Sequence, residues 1–388
     1  MQKSTKKTLL TIIITFVSTL LLVAVALCIL FSKHKMPLSK LHKVISIIES
    51  SYVGEYNKQE CEENAINAVL NTIGDDYAVY YNEENAKETM QMIEGYYIGI
   101  GVEIRANSEN NRIEIISAFK DSPADKAGMK RGDLILSIDG KTYNAKEMSD
   151  AVLYIKGSGV ENPLEKPVKI VVKRGEDEIE LTVKREKIDV YKVTTETVDD
   201  ICYIRYTGFT KKSKEEVKKI IESLDEKTTK GIVIDIRNNP GGEFNSAIEL
   251  CDLFLEDVTI MYTENKAGDR KYYKAKKGSC KIPMAVLVNG SSASASEIFA
   301  GAMKDNKRAV LVGEKTYGKG VSQVVRYLNP LDKSEGALKL TVLKNYSPSG
   351  RWINESITPD VEIKTEEIAE NIKEDAAFIA AIKELKKD

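Results

Sequence analysis

Ser292, Ser294 and Ser296 alternate with Ala293 and Ala295 in a run closed by Glu297, and Lys319 lies downstream between two glycines in Thr316-Tyr317-Gly318-Lys319-Gly320. A serine hydroxyl is a weak nucleophile until a base takes its proton. The chain holds only two histidines, His34 and His42, both just after an apolar N-terminal segment. A hydrolase built on this serine run must therefore use another base, and a lysine qualifies if burial depresses its pKa far enough to release a proton near neutral pH. A third turn, Arg237-Asn238-Asn239-Pro240-Gly241-Gly242, follows the apolar run 231–236 and offers backbone N–H groups with no side chains in the way, as a tetrahedral oxyanion requires. Taken singly, each turn has an ordinary reading. Ser294 and Glu297 fit a capping box, Pro-Gly-Gly makes loops, and most lysines are solvated. Their co-occurrence in one chain favours acyl-transfer chemistry.

Other chemistries find little support. Gly313 to Lys319 fits the opening of a phosphate-binding loop, but Gly320 stands where a magnesium-binding Ser or Thr belongs. The five cysteines, Cys28, Cys61, Cys202, Cys251 and Cys280, have no C-x-x-C spacing, which argues against a zinc knuckle or redox pair and for free thiols. With 57 basic against 59 acidic side chains and no long single-sign block, no nucleic-acid footprint is visible. No metal or cofactor is called for.

The elements that must position these turns follow from periodicity. Residues 9–31 carry no charge and are long enough at helical rise to cross a hydrocarbon core of about 30 Å. They read as a signal-anchor rather than a cleaved signal peptide, with residues 1–8 inside and the rest of the chain outside the cytoplasm. Residues 36–92 show helical spacing in Leu41, Val44, Ile45, Ile48 and again in Ala65, Ile66, Val69, Leu70, Ile73. This arm has more apolar surface than a lone hairpin buries, so a homo-oligomer, such as a dimer, is expected. Short strands and turns fill residues 93–186. From 187 to 364 strands alternate with helices, which predicts an α/β core with ligand loops at strand ends. Residues 365–388 read as one amphipathic helix with Ile368, Ile372, Phe378, Ile379 and Ile382 on one side.

The glycine-bearing segment Ile98-Gly99-Ile100-Gly101, the turn Ser122-Pro123-Ala124-Asp125-Lys126-Ala127-Gly128 and the strand ending in Asp139-Gly140-Lys141 resemble a PDZ domain. The resemblance implies that Ile98 to Gly101 hold a peptide's terminal carboxylate while the peptide adds a strand to a sheet edge. Combined with the serine run, the Pro-Gly-Gly turn and the lysine loop, residues 40–365 resemble the C-terminal processing proteases, Ser-Lys peptidases with a PDZ domain. The fold so implied is α+β and multidomain: membrane helix, helical arm, PDZ-like β-rich domain and an α/β protease core of the ClpP/crotonase-like type. Carried over residue by residue, Ser294 is the nucleophile, Lys319 the general base and Gln323 the glutamine that positions it. On an extended strand, Lys319, Val321 and Gln323 would share one face. The oxyanion hole would combine the N–H of Ala295 with that of Gly241 or Gly242. The partners implied are proteins or peptides with accessible C-termini, met at the outer face of the plasma membrane, and the PDZ domain could gate the site. One departure is visible, Glu355-Ser356, where the family pattern has a glycine-bearing turn. The rival readings are a catalytically inactive PDZ adaptor and a crotonase-like acyl-transfer enzyme.

Overall fold

The computed structural model describes residues 15, 16, 18, 19, 21, 39–276, 280–364 and 368–387. Most of the apolar segment 9–31 lies outside the described residues, and among those described no helix is long and apolar enough to cross a membrane. The chain divides into two compact units between Ala65 and Ile66. In the first, the helix Ser39–Ser51 leaves Val44 and Ile47 more than half exposed. The helix Lys58–Asn71 runs across the division.

In the second unit, residues 102–183 form a five-stranded antiparallel meander: Val102–Asn107, Arg112–Ala118, Leu134–Ile138, Val168–Arg174 and Asp177–Val183. Strand residues of one parity, including Ile113, Ile115, Val168, Ile170 and Val172, point into a core closed by Ala151 and Ile155 of the helix Met148–Lys156. Tyr96–Gly99 pairs antiparallel with Glu186–Asp189, closing the segment at its base.

A six-stranded sheet carries the site. Its order is Val361–Glu362, Ala309–Gly313, Met284–Val288, Gly231–Asp235, Ile201–Tyr206, Val193–Val198, parallel except for the last pair. Strands covered on both faces read as unbroken apolar runs, and alternate residues go to opposite cores. Ile232, Ile234, Val286 and Val288 face the helices Phe244–Asp252 and Ala295–Asp305. Val233, Ala285 and Leu287 face Phe378 and Ala381 of the helix Ala376–Leu385. A second sheet joins Val321–Tyr327, Ala337–Tyr346, Thr259–Glu264, Arg270–Lys274 and the short strand Val79–Tyr81.

Three local expectations change. The predicted all-helical stretch 36–92 is interrupted by Val79–Tyr81, which pairs with residues 337–339; three residues are too few to show a two-residue period. The C-terminal helix starts only at Ala376, because the Asp375 carboxylate caps it by accepting from Phe378 N–H at 3.0 Å. Its buried face is Ala377, Phe378 and Ala381, while Ile379 is about half exposed. Lys319 precedes the strand, which begins at Val321 and shifts register between Ser322 and Gln323, so the one-face alternation does not run unbroken.

Candidate active site

Three turns leave the carboxyl ends of neighbouring parallel strands, where open α/β sheets place their ligands. The Pro-Gly-Gly turn follows Gly231–Asp235, the serine run follows Met284–Val288, and the lysine loop follows Ala309–Gly313. Buried hydrogen bonds stitch them together. Ala293 N–H and Ser296 Oγ both donate to Asn239 O, at 3.0 and 2.9 Å. Ser292 Oγ donates to Ile236 O at 2.8 Å, and Tyr317 N–H donates to Ser292 O at 3.0 Å.

These bonds sort the three serines. Ser292 and Ser296 are 0% exposed and spend their hydroxyls on backbone carbonyls, which makes them structural. Ser294 is partly exposed and sits at φ 56°, ψ −113°, as N-cap of the helix Ala295–Asp305. A non-glycine residue at such angles stores strain of about 1–3 kcal/mol. A partly exposed serine on a sharp strand-to-helix turn, next to the positive end of the helix dipole, stands where a developing negative charge would be stabilised.

Beside it lies the Pro-Gly-Gly turn. Gly241 has φ 102°, and a Cβ there would come within 2.7 Å of Ala293 O and 2.9 Å of Ala295 N, so only glycine allows this approach. Gly241 N–H donates to Asn239 Oδ1 at 2.9 Å. Among the described residues, Gly242 N–H and Ala295 N–H have no acceptor. That pair, rather than Gly241, is free to receive an oxyanion. Next to Gly242 lies a cavity of about 510 Å³, lined in part by Val79, Tyr81, Met92, Ile93 and Tyr191.

Glu297 couples this turn to the lysine loop. It is fully buried, and its Oε2 accepts from both Ser294 N–H at 2.9 Å and Lys319 N–H at 2.8 Å. Its Oε1 accepts from Thr316 Oγ1 and Gly318 N–H, each at 2.6 Å. One oxygen thus holds the backbones of Ser294 and Lys319 side by side. Burial pushes the Lys319 pKa below its ordinary value, Lys339 adds to the depression, and the Glu297 charge opposes it. The Lys319 ammonium lies over the Tyr77 ring, 4.6 Å from its centroid. Gln323 does not hydrogen-bond to Lys319; its Nε2 donates weakly to Val321 O at 3.4 Å and to Thr341 Oγ1 at 3.3 Å.

A buried ion network underlies the Pro-Gly-Gly turn. Arg237, 0% exposed, bonds Asp235 through Nε and Nη2, the latter at 2.7 Å, and Asp375 through Nη1 at 3.0 Å. Burial alone would lower its pKa; the bonds to Asp235 and the charges of Asp235 and Asp375 outweigh it and keep the guanidinium protonated.

In the segment assigned to carboxylate binding, Ile98 and Gly99 pair with Lys187 and Glu186. Ile100 is buried and its C=O accepts from Ala124 N–H at 2.9 Å. Gly101 turns at φ 76°, with its C=O taking Ser122 Oγ at 3.0 Å. These four residues belong to a different part of the unit from the serine turn, joined to the antiparallel meander.

Sequence reasoning missed several contributors. Glu297 was visible only as a capping residue, although a carboxylate in the third helical position beside two loops is also a hub for orphan N–H groups. Asn239 and the Arg237–Asp375 pair gave no signal, because their partners lie far along the chain. Asp75 reads from sequence only as part of a helix stop, Gly74-Asp75-Asp76, and Tyr77 gives no signal.

The comparisons agree with this geometry. Residues 200–363 match peptidase family S41, residues 115–174 a PDZ domain, and residues 30–85 the activating protease CtpB N-terminal domain. Over 337 residues the chain is 35% identical to the carboxy-terminal-processing protease of Bartonella bacilliformis, covering 84% of this chain and 75% of that one. The chain belongs to the carboxy-terminal-processing protease family. It is also 33% identical over 345 residues to the carboxy-terminal processing protease CtpB of Bacillus subtilis, 86% of this chain and 69% of that one. The photosystem II D1 C-terminal processing protease shares its fold, with a TM-score of 0.54 at 24% identity over 88% of this chain and 90% of that one. Membership of this family makes the chain a serine-type peptidase with a PDZ domain.

Proposed function

We propose that this protease cleaves peptide bonds through a Ser294–Lys319 dyad assisted by Gln323, after its PDZ domain has engaged the C-terminus of a protein substrate. The observation that carries the reading is the hydrogen bonding of the serine run: Ser292 and Ser296 give their hydroxyl protons to backbone carbonyls and Ser294 does not, and the Ser294 N–H shares one Glu297 oxygen with Lys319. Neutral Lys319 takes the Ser294 proton as Oγ attacks the carbonyl carbon. The carbonyl oxygen becomes an oxyanion held by Gly242 and Ala295 N–H. The protonated lysine then gives its proton to the departing amine as the C–N bond breaks, leaving an acyl-enzyme that water hydrolyses by the same proton path. For this, the Lys319 amine must come within reach of Ser294 Oγ, with the Gln323 amide oxygen facing it. The cavity beside Gly242 would take a substrate side chain; its lining combines tyrosines and aliphatic residues with the polar Asn85, Glu88 and Thr89.

The decisive experiment is Ser294→Ala. It should abolish cleavage of a model peptide while leaving the circular dichroism spectrum unchanged, and residual turnover near wild type would refute the nucleophile. The finer readings follow from the sequence. Residues 9–31 anchor the protein with its protease facing outward, a reading that release by alkaline carbonate would sink. The exposed Val44 and Ile47 support self-association through the arm, which a monomeric sedimentation coefficient for the full chain in detergent would exclude.

A further inference from the structure

One link in the site has no role in the chemistry above. The segment Asp75–Tyr81, which precedes the antiparallel meander in sequence, is sewn to the strand Ala337–Tyr346 that lies opposite Gln323. Asp75 Oδ2 accepts from Thr341 N–H and Asp75 Oδ1 from Thr341 Oγ1, both at 3.0 Å. Asp75 Oδ1 also accepts from Tyr77 N–H at 3.0 Å, which fixes the turn that carries the Tyr77 ring over Lys319. Because Thr341 Oγ1 gives its proton to Asp75, it meets Gln323 as an acceptor and takes the amide N–H at 3.3 Å. With Val321 O also facing Gln323 Nε2, the amide oxygen is the end left for a lysine amine.

We propose that the Asp75–Tyr77 turn is a positioning device for the base: Tyr77 shields the Lys319 amine from water, and Asp75, acting through Thr341, sets which end of the Gln323 amide faces it. The proposal rests on the Ser294–Lys319 reading. Neither residue touches substrate atoms, so both act through other side chains. The charged and titratable groups around the amine are Lys339 from the adjoining strand, Glu297 from the serine helix, and Tyr77. Around Tyr77 lie Tyr317, Asp76, Glu297 and Asp75. A ring over an ammonium pulls two ways: the π-face favours the charged form, and the exclusion of water disfavours it. Burial is the largest influence on Lys319, so loss of the ring should act mainly by letting water in.

The test is the pH dependence of kcat/KM on a model peptide, with thermal melts as a folding control. Tyr77→Ala should move the acid limb up by about one unit, a roughly tenfold loss at neutral pH that is recovered at high pH. Tyr77→Phe, which keeps the ring, should match wild type. Thr341→Val should lower kcat several-fold with an unmoved limb, and Thr341→Ser should restore it. An unmoved limb in Tyr77→Ala, or a Phe variant as impaired as the Ala variant, overturns the shielding half. A Thr341→Val enzyme with wild-type kcat overturns the amide half. Full cleavage by Ser294→Ala would instead defeat the underlying reading, so the two failures are distinct.

Discussion

The serine half and the lysine half of the site are built differently. Around Ser294 the backbone is overdetermined: Ser292, Ser296 and Asn239 are fully buried and hydrogen-bonded, and Gly241 packs against Ala293 and Ala295 with no room for a Cβ. Around Lys319 the backbone is held equally well, by Glu297, but the side chains are not. Lys319 rests on an aromatic ring, and Gln323 makes two long hydrogen bonds on a strand with a register shift. Oxyanion stabilisation gains most from groups that need not move during the reaction. A base must accept a proton from one atom and deliver it to another, so some side-chain freedom is compatible with its task. On the proposed mechanism the serine and Pro-Gly-Gly turns are therefore preformed, and adjustment falls to Lys319.

The comparison can be broken at several points. Lys319→Met should abolish cleavage, and in the inactive protein it should also flatten a pH trend in stability. Because burial lowers the folded-state pKa of Lys319, the unfolded chain binds the extra proton between that value and the ordinary lysine value. Stability should then rise with pH across this window in the parent and not in the variant. Chemical denaturation at several pH values reads this out; equal slopes would contradict a depressed lysine.

Glu297→Gln should come next, lowering kcat by about 100-fold. One end of the amide is a donor and would confront N–H groups that now have a carboxylate, unfastening serine from lysine. If kcat fell with no change in thermal midpoint, the carboxylate would be an electrostatic rather than a tethering element. The smallest effect is expected at Ser356, which occupies φ 61°, ψ 156°, a region that is essentially glycine's. Ser356→Gly should stabilise the protein by roughly 1 kcal/mol or more in denaturant melts, with activity unchanged. A loss of stability would mean that the hydroxyl, close to Gly318, repays the strain.

The glycine-bearing turn expected around residue 356 is thus present in conformation while the glycine itself is not. That case marks what sequence reading can and cannot reach here. The apolar run 231–236 was legible because it is bounded by turn residues, and Gly231–Asp235 is a fully buried strand. Ser294 and Lys319 drew notice from their small-residue context and from a chain whose two histidines both follow the apolar N-terminal segment in sequence. Gln323 was named, but its present partners were not, since a strand pattern cannot reveal a register shift. The hairpin Thr259–Glu264 with Arg270–Lys274 escaped notice because its polar second strand has mostly exposed side chains. Glu297 and Arg237 act through partners 22 and 138 positions away, respectively, a separation that local periodicity does not encode.

Arg237 reaches its second carboxylate at Asp375, 138 positions downstream. Removing one member of a buried ion pair leaves a charge stranded in low dielectric, a penalty of about 3–5 kcal/mol. Without that aspartate the guanidinium keeps only Asp235, a carboxylate it shares with Arg205 and Tyr203. Cleavage of the chain before Asp375 should therefore weaken the support beneath the Pro-Gly-Gly turn.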